Sequence, residues 1–216
     1  MIASEKSART LIKICGARNP LEARAILDLG ADAVGVVVAA GSPRRVHPSE
    51  AIAIADACGK RAVLVLRGSD ADCTDLLRSW PGPVQIHDPI GDPGRPCIAG
   101  FNAAALSSSA AWPASATALL LDAPQAGSGA AWDWAKAGNA ARHLPCILAG
   151  GLNPTNVATA IEAARPWAVD VSSGVEHARG TKDLGLVHAF IAAVHSCDAA
   201  AGRHQTPHPA DFIALA

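Results

Sequence analysis

Tyrosine is absent from this 216-residue chain, methionine occurs once, and the remaining aromatics are three Phe and five Trp. A core of any size must therefore be built from Ala, Val, Leu and Ile, and no aromatic platform for stacking bases is available. Charge of one sign is also lacking: 18 Lys and Arg stand against 19 Asp and Glu, a formal net charge of −1. That balance offers no basic face for nucleic acid, so no nucleic-acid partner is expected. No apolar run approaches the roughly 20 residues of a membrane span, and the first ten residues lack the apolar centre of a signal peptide. The six cysteines (15, 58, 73, 97, 146, 197) include no C-x-x-C pair. They read as free thiols of a reducing, cytoplasmic compartment. No cluster has metal-ligand spacing, because His204 and His208 have Pro207 between them in a polar tail. Neither a metal nor a cofactor is expected.

Half of the residues are hydrophobic, enough for one domain with a large core. Short apolar runs alternate with longer Ala-rich stretches. Strands are expected near 11–15, 33–38, 62–66, 83–86, 96–99, 118–121, 145–149 and 167–171. Helices are expected near 20–29, 48–58, 70–79, 102–110, 132–142, 153–164 and 182–195. Asn19-Pro20, Pro48 and Asn153-Pro154 are helix-start signals. Eight strands with helices between them give a parallel sheet, which right-handed crossovers can close into a (β/α)₈ TIM barrel. The link at 88–95, Asp-Pro-Ile-Gly-Asp-Pro-Gly-Arg, is too short and too rich in Pro and Gly for a normal fourth helix. The reading is a single-domain barrel over 1–196 with a shortened or missing fourth helix, followed by a tail over 197–216. A missing helix leaves the outer faces of strands 4 and 5 to be covered by a shifted neighbour, by the apolar end of the tail, or by a second subunit. The tail is the favoured cover, and a monomer or a homodimer is expected.

Two apolar runs end in Gly-rich turns one βα unit apart: Leu-Ala-Gly-Gly-Leu-Asn-Pro at 148–154 and Val-Asp-Val-Ser-Ser-Gly-Val-Glu at 169–176. Neighbouring turns of this kind aim backbone N–H groups at one spot, which suits a phosphate dianion. In a TIM barrel the loops after strands 7 and 8 are where a phosphate commonly sits. Gly150, Gly151, Ser173 and Gly174 are the candidate donors. On the first strand, Lys13 and Cys15 share one face, so both point into the barrel, with Cys15 at the mouth. An ammonium two residues away is expected to lower the thiol's pKa. Asp170 points inward on strand 8 as a partner for Lys13.

Six motifs stand in order at strand ends: Lys-Ile-Cys-Gly (13–16), Ala-Gly-Ser-Pro-Arg-Arg-Val (40–46), Gln-Ile-His (85–87), Leu-Leu-Leu-Asp (119–122) with the loop after it, and the two phosphate turns. This set resembles the phosphoribosylanthranilate isomerase family of tryptophan biosynthesis over about residues 11–194. The resemblance implies an Amadori rearrangement of N-(5′-phosphoribosyl)anthranilate, an aminoaldose, into an aminoketose by general acid–base catalysis. It implies Cys15 as general base, Asp122 as general acid and Arg44 as the cation that holds the anthranilate carboxylate. It also implies Lys13, Gln85, His87 and Asp170 around the substrate, with His87 lining the pocket rather than titrating. In the strand-6 loop, Gly127 and Gly129 join the phosphate candidates.

The chain departs from the family's pattern mainly on strands 3 to 5. Asp88 follows the strand-4 histidine where glycine is usual, and strand 3 ends Val-Leu-Arg-Gly (65–68) in place of a Val-Phe-Val-Asn-like end. The strand-6 loop begins with Ala126 where the family has glycine, and strand 5 lacks a lysine-containing end. Two other readings stay open. One is a related isomerase acting on another phosphoribosyl amine; the other is a non-catalytic phosphoribosyl-binding relative.

Overall fold

A computed structural model describes residues 8–70, 73–102, 113–123, 133–134, 137 and 144–204. Eight parallel strands close into a barrel in sequence order: β1 (Leu11–Cys15), β2 (Ala33–Val37), β3 (Ala62–Arg67), β4 (Val84–His87), β5 (Cys97–Asn102), β6 (Ala116–Asp122), β7 (Cys146–Leu148) and β8 (Ala168–Val171). The seam between β1 and β8 is fully paired, from Leu11↔Ala168 to Ile14↔Val171. All eight expected strands are present, most within one or two residues of the expected bounds. The helices among the described residues are α1 (Pro20–Asp28), α2 (Pro48–Cys58), α3 (Thr74–Ser79), α4 (Val157–Ala164) and α5 (Leu184–Ala200). The helices expected near 102–110 and 132–142 lie largely outside the described residues.

Local chemistry sets the helix starts. Asn19 accepts from the Glu22 N–H at 2.9 Å ahead of Pro20, and His47 and Glu50 form a reciprocal capping box around Pro48. Asn153 accepts from the Thr155 N–H at 2.8 Å, and its carbonyl takes the Val157 N–H. Asp183 caps α5 through the N–H groups of Gly185 and Leu186.

Side-chain alternation splits the core into two layers. Inside the barrel lie Leu11, Cys15, Val37, Val63, Val65, Ile98, Leu120 and Ile147, with small residues at 33, 118 and 168. Lys13 and Gln85, both fully buried, share this interior. Outside it, Ile12, Ile14, Val34, Val36, Leu64 and Leu121 pack against Ile26, Ile54, Ile161 and the α5 residues Val187, Phe190 and Val194.

No described helix stands between β4 and β5, as the Pro- and Gly-rich link predicts. Among the described residues, Val84, Ile86 and Cys97 belong to the same buried outer cluster as Leu76 of α3 and Trp80 just beyond it. The Trp80 indole N–H donates to the Ala62 carbonyl at 3.2 Å, and the Arg95 guanidinium donates to the carbonyls of Leu77 and Gly82. The apolar end of the tail, the favoured cover on sequence, lies outside the described residues. The last helix also runs to Ala200, past the expected end at 195. Asp198 is 2% exposed and accepts from the Thr10 N–H (2.6 Å), the Thr10 hydroxyl (2.9 Å) and Arg203 (3.2 Å). Its polarity is a structural tie to the start of β1, not a mark of solvated chain.

Candidate active site

The C-terminal ends of the strands surround a cavity of about 520 Å³. Cys15 reaches it from β1, Arg44 from the loop after β2, His87 from β4 and Asp122 from β6. Gly150 and Gly151 reach it from the turn after β7, and Asp170 and Ser173 from β8 and its turn. The lining thus gathers eight of the residues singled out on sequence. Lys13 and Gln85 lie beneath it, fully buried inside the barrel. Gly127 and Gly129 lie outside the described residues.

Lys13 Nζ donates to Asp170 Oδ1 at 2.9 Å. Burial opposes the Lys13 charge, yet Asp170, with Cys15 beside it, more than offsets that and raises its pKa. The expected low pKa for Cys15 is not found. Lys13 does pull the thiol down, but burial, the largest influence, pushes it up, Asp170 adds to the rise, and the result lies above the ordinary thiol value. Desolvation and the negative charge of Asp170 together outweigh the ammonium two residues away.

Asp122 ends β6 with Oδ1 accepting its neighbour's N–H, from Ala123, at 2.7 Å. Burial, then the hydrogen bond working against it, then Asp170, set its pKa, and the net shift is upward. A protonated carboxyl is what a general acid requires. His87 is pushed down by burial and by Lys13, so it is neutral near pH 7. Its Nε2 sits 2.7 Å from Gln85 Nε2.

Arg44 is held where sequence did not foresee. Its Nε and Nη2 donate to the two carboxylate oxygens of Glu176 at 2.7 and 2.9 Å, a bidentate pair. Glu176 belongs to a small antiparallel hairpin, β9 (Glu176–Ala178) and β10 (Thr181–Lys182), that follows the strand-8 turn. The buried Lys182 donates to Glu176 at 2.7 Å and to the Ser172 carbonyl at 3.1 Å, and the Ser172 hydroxyl donates to the Cys15 carbonyl at 2.9 Å. Burial would raise the Glu176 pKa, but Arg44, Lys182 and the Gly180 N–H hold it down to about 2. One network therefore fixes Arg44, the strand-8 turn and the end of β1. Glu176 closes the 169–176 motif and could have been found as the acid opposite a lone loop arginine. Lys182 was hidden in a stretch expected to open the last helix.

The two turns differ in why they need glycine. Gly150 and Gly151 have φ of +83° and +68°, which side chains rarely adopt, and a Cβ at Gly150 would collide with the Ala123 N–H. The adjacent Ser173 lines the cavity, but Gly174 is not among the residues that do. A Cβ there would run into the Leu152 carbonyl, so this glycine lets the strand-7 and strand-8 turns pack together. Arg67, Asp88 and Arg179 line the mouth without having been singled out as candidates. Asp88 has φ +49°, so the position where the family favours glycine is a left-handed one that Asp tolerates.

This geometry can be set beside known proteins. A family model described as N-(5′-phosphoribosyl)anthranilate (PRA) isomerase matches residues 96–193. A relative from Natronomonas pharaonis, named N-(5′-phosphoribosyl)anthranilate isomerase, is 36% identical over 209 residues, covering 87% of this chain and 99% of the relative. The chain belongs to the phosphoribosylanthranilate isomerase family. A second member, from Magnetococcus marinus, is 38% identical over 208 residues, covering 88% of this chain and 98% of its own. Among solved structures, TrpF from Jonesia denitrificans superposes with a TM-score of 0.73 at 35% identity, covering 87% and 98% of the two chains. The isomerase from Thermus thermophilus gives 0.69 at 31% identity, covering 87% and 99%. A family member solved with reduced 1-(o-carboxyphenylamino)-1-deoxyribulose 5-phosphate gives 0.68 at 27% identity, covering 87% and 99%. Among the described residues, no helix is long and apolar enough to cross a membrane, and no group of three or more His, Cys, Asp or Glu side chains is placed to hold a metal.

Proposed function

We propose that this chain isomerises N-(5′-phosphoribosyl)anthranilate to 1-(2-carboxyphenylamino)-1-deoxyribulose 5-phosphate. The observation that carries the reading is one cavity holding Cys15 and Asp122 on different walls, both with raised pKa, between the Gly150–Gly151 turn and Arg44. In this mechanism Asp122 delivers its proton to the ribose ring oxygen. The C1′–O bond breaks and C1′=N forms, giving an open-chain imine. The Cys15 thiolate then removes the C2′ proton to give an enolamine, which becomes the ketone as C1′ takes up a proton. The reaction is a net isomerisation, so atoms and electrons balance without an added redox partner.

The phosphate is assigned to the backbone N–H groups of Gly150, Gly151 and Ser173. The anthranilate carboxylate is assigned to Arg44, whose Nη1 side is left by the Glu176 pair. Lys13 and Asp170 set the field under Cys15, and His87 serves as a neutral wall. The raised pKa of Asp122 favours the protonated carboxyl its role needs, whereas the raised thiol pKa disfavours the Cys15 thiolate. Against the burial that raises it, the charge of Lys13, followed by those of Lys182 and Arg44, favours the thiolate.

All six cysteines are free, which supports a reducing, cytoplasmic setting. The test is to incubate the purified protein with freshly generated substrate and follow the loss of anthranilate fluorescence. Turnover no faster than that of a Cys15→Ser, Asp122→Asn double variant would overturn the assignment.

A further inference from the structure

Arg67 is the last residue of β3. Val63 and Val65 face the barrel interior, so strand alternation sends Arg67 inward at the mouth, in register with His87 of β4. It lines the same cavity as Arg44. Arg44 stands in the loop that leaves β2, the strand paired with β3, and its side chain reaches toward Gly16 beyond β1 and Glu176 beyond β8. Arg67's own N–H donates to Asp70 at 2.7 Å, which fixes the strand end. Among the described residues, no carboxylate is within ion-pair distance of its guanidinium. Arg44, by contrast, has its Nε–Nη2 edge filled by Glu176. A carboxylate has two oxygens and about four acceptor positions, more than the remaining Nη1 side of Arg44 satisfies. β3 is also four strands from β7 in a ring of eight. Arg67 therefore stands across the cavity from the Gly150–Gly151 turn, where a second anionic group of a phosphorylated substrate would lie.

We propose that Arg67 determines specificity by sharing the aglycone carboxylate with Arg44, so that two guanidiniums from adjacent strands bracket one anion. The inference rests on the reading of the site given above. Arg67 also contributes, after burial and Lys13, to the lowered basicity of His87, which places its charge close to that wall.

The test measures binding of two non-reacting ligands: the reduced form of the product, and the same molecule with an unsubstituted phenylamino group. Wild type should prefer the carboxylated ligand strongly. Arg67→Ala should bind that ligand about tenfold more weakly, the lower end for a charged hydrogen bond because Arg67 is exposed to screening solvent. It should bind the unsubstituted ligand within about twofold of wild type. Arg67→Lys should recover part of the loss, and KM should rise about tenfold with kcat changed less than twofold. Equal losses on both ligands, or no loss on either, would overturn the proposal. If wild type itself fails to distinguish the ligands, the carboxylate is held by neither arginine, and the assignment of Arg44 fails together with this one.

Discussion

Replacing Glu176 by Gln keeps the shape of the hairpin and removes the charge that holds Arg44 and Lys182. The carboxyl is held from an ordinary 4.5 down to about 2. A drop of that size corresponds to roughly 3 kcal/mol of preference for the charged form, at about 1.36 kcal/mol per pH unit. Glu176 is only 4% exposed and the Lys182 side chain is fully buried, so solvent screening removes little of this. Leaving one member of a buried pair without its partner costs about 3–5 kcal/mol, a second route to the same size. For a chain of this length a loss of roughly 3 kcal/mol lowers Tm by about 6–12 °C. The sign follows from the lowered pKa: the contribution is fully present above pH 4.5 and disappears as pH falls through about 2. Wild type should therefore lose stability over that window, and Glu176→Gln should lose less there because it has no carboxyl at this position to protonate. Arg44, freed from its bidentate hold, should also raise KM about tenfold with a smaller effect on kcat. The assays are thermal melts at pH 7 and pH 3 and fluorescence kinetics at pH 7. An unchanged KM together with an unchanged melting curve at both pH values would refute the account of this network.

Cys15→Ser should lower turnover by about 10²–10⁴-fold and leave binding of the reduced product largely intact, as fluorescence kinetics and titration would show. A variant keeping more than about a tenth of wild-type turnover would remove Cys15 from the mechanism. Arg44→Ala should raise KM by about tenfold or more, whereas Arg45→Ala, outside the cavity lining, should change it little; steady-state kinetics on both separates them. Asp88→Gly should stabilise the fold by about 0.5–1 kcal/mol, because its left-handed backbone then carries no side-chain penalty, and Asp88→Val should destabilise it; denaturant midpoints decide.

The barrel was legible because its strands are short apolar runs separated by helix-forming stretches, and because 88–95 cannot form a helix. The two layers of side chains then follow from alternation alone. The candidate site was legible where a residue stands at a strand end, as with Cys15, His87, Asp122 and Asp170. Two things were not. The Cys15 pKa depends on desolvation and on Asp170, which is 155 residues away in sequence and reaches it only through the β1–β8 seam. The hold on Arg44 depends on Glu176, which the chain presents on a hairpin too short to show a strand period. Gly174 was legible as a constrained glycine, but not the Leu152 carbonyl across the turn that a Cβ there would meet.

The tie between Thr10 and Asp198 has a further consequence. It brings the start of β1 and the end of α5 together, and Arg203 comes within 3.4 Å of Thr10 Oγ1. The tie thus adds to the strand pairing that closes the ring between β1 and β8. On the far side, the covalent link between β4 and β5 is an exposed loop with no described helix to lose. A cut there would give two four-stranded halves, β1–β4 and β5–β8, each with two edges left unpaired until the halves meet. The β4–β5 pairing and the Asp198 tie are what would let separately made halves recognise each other as one molecule.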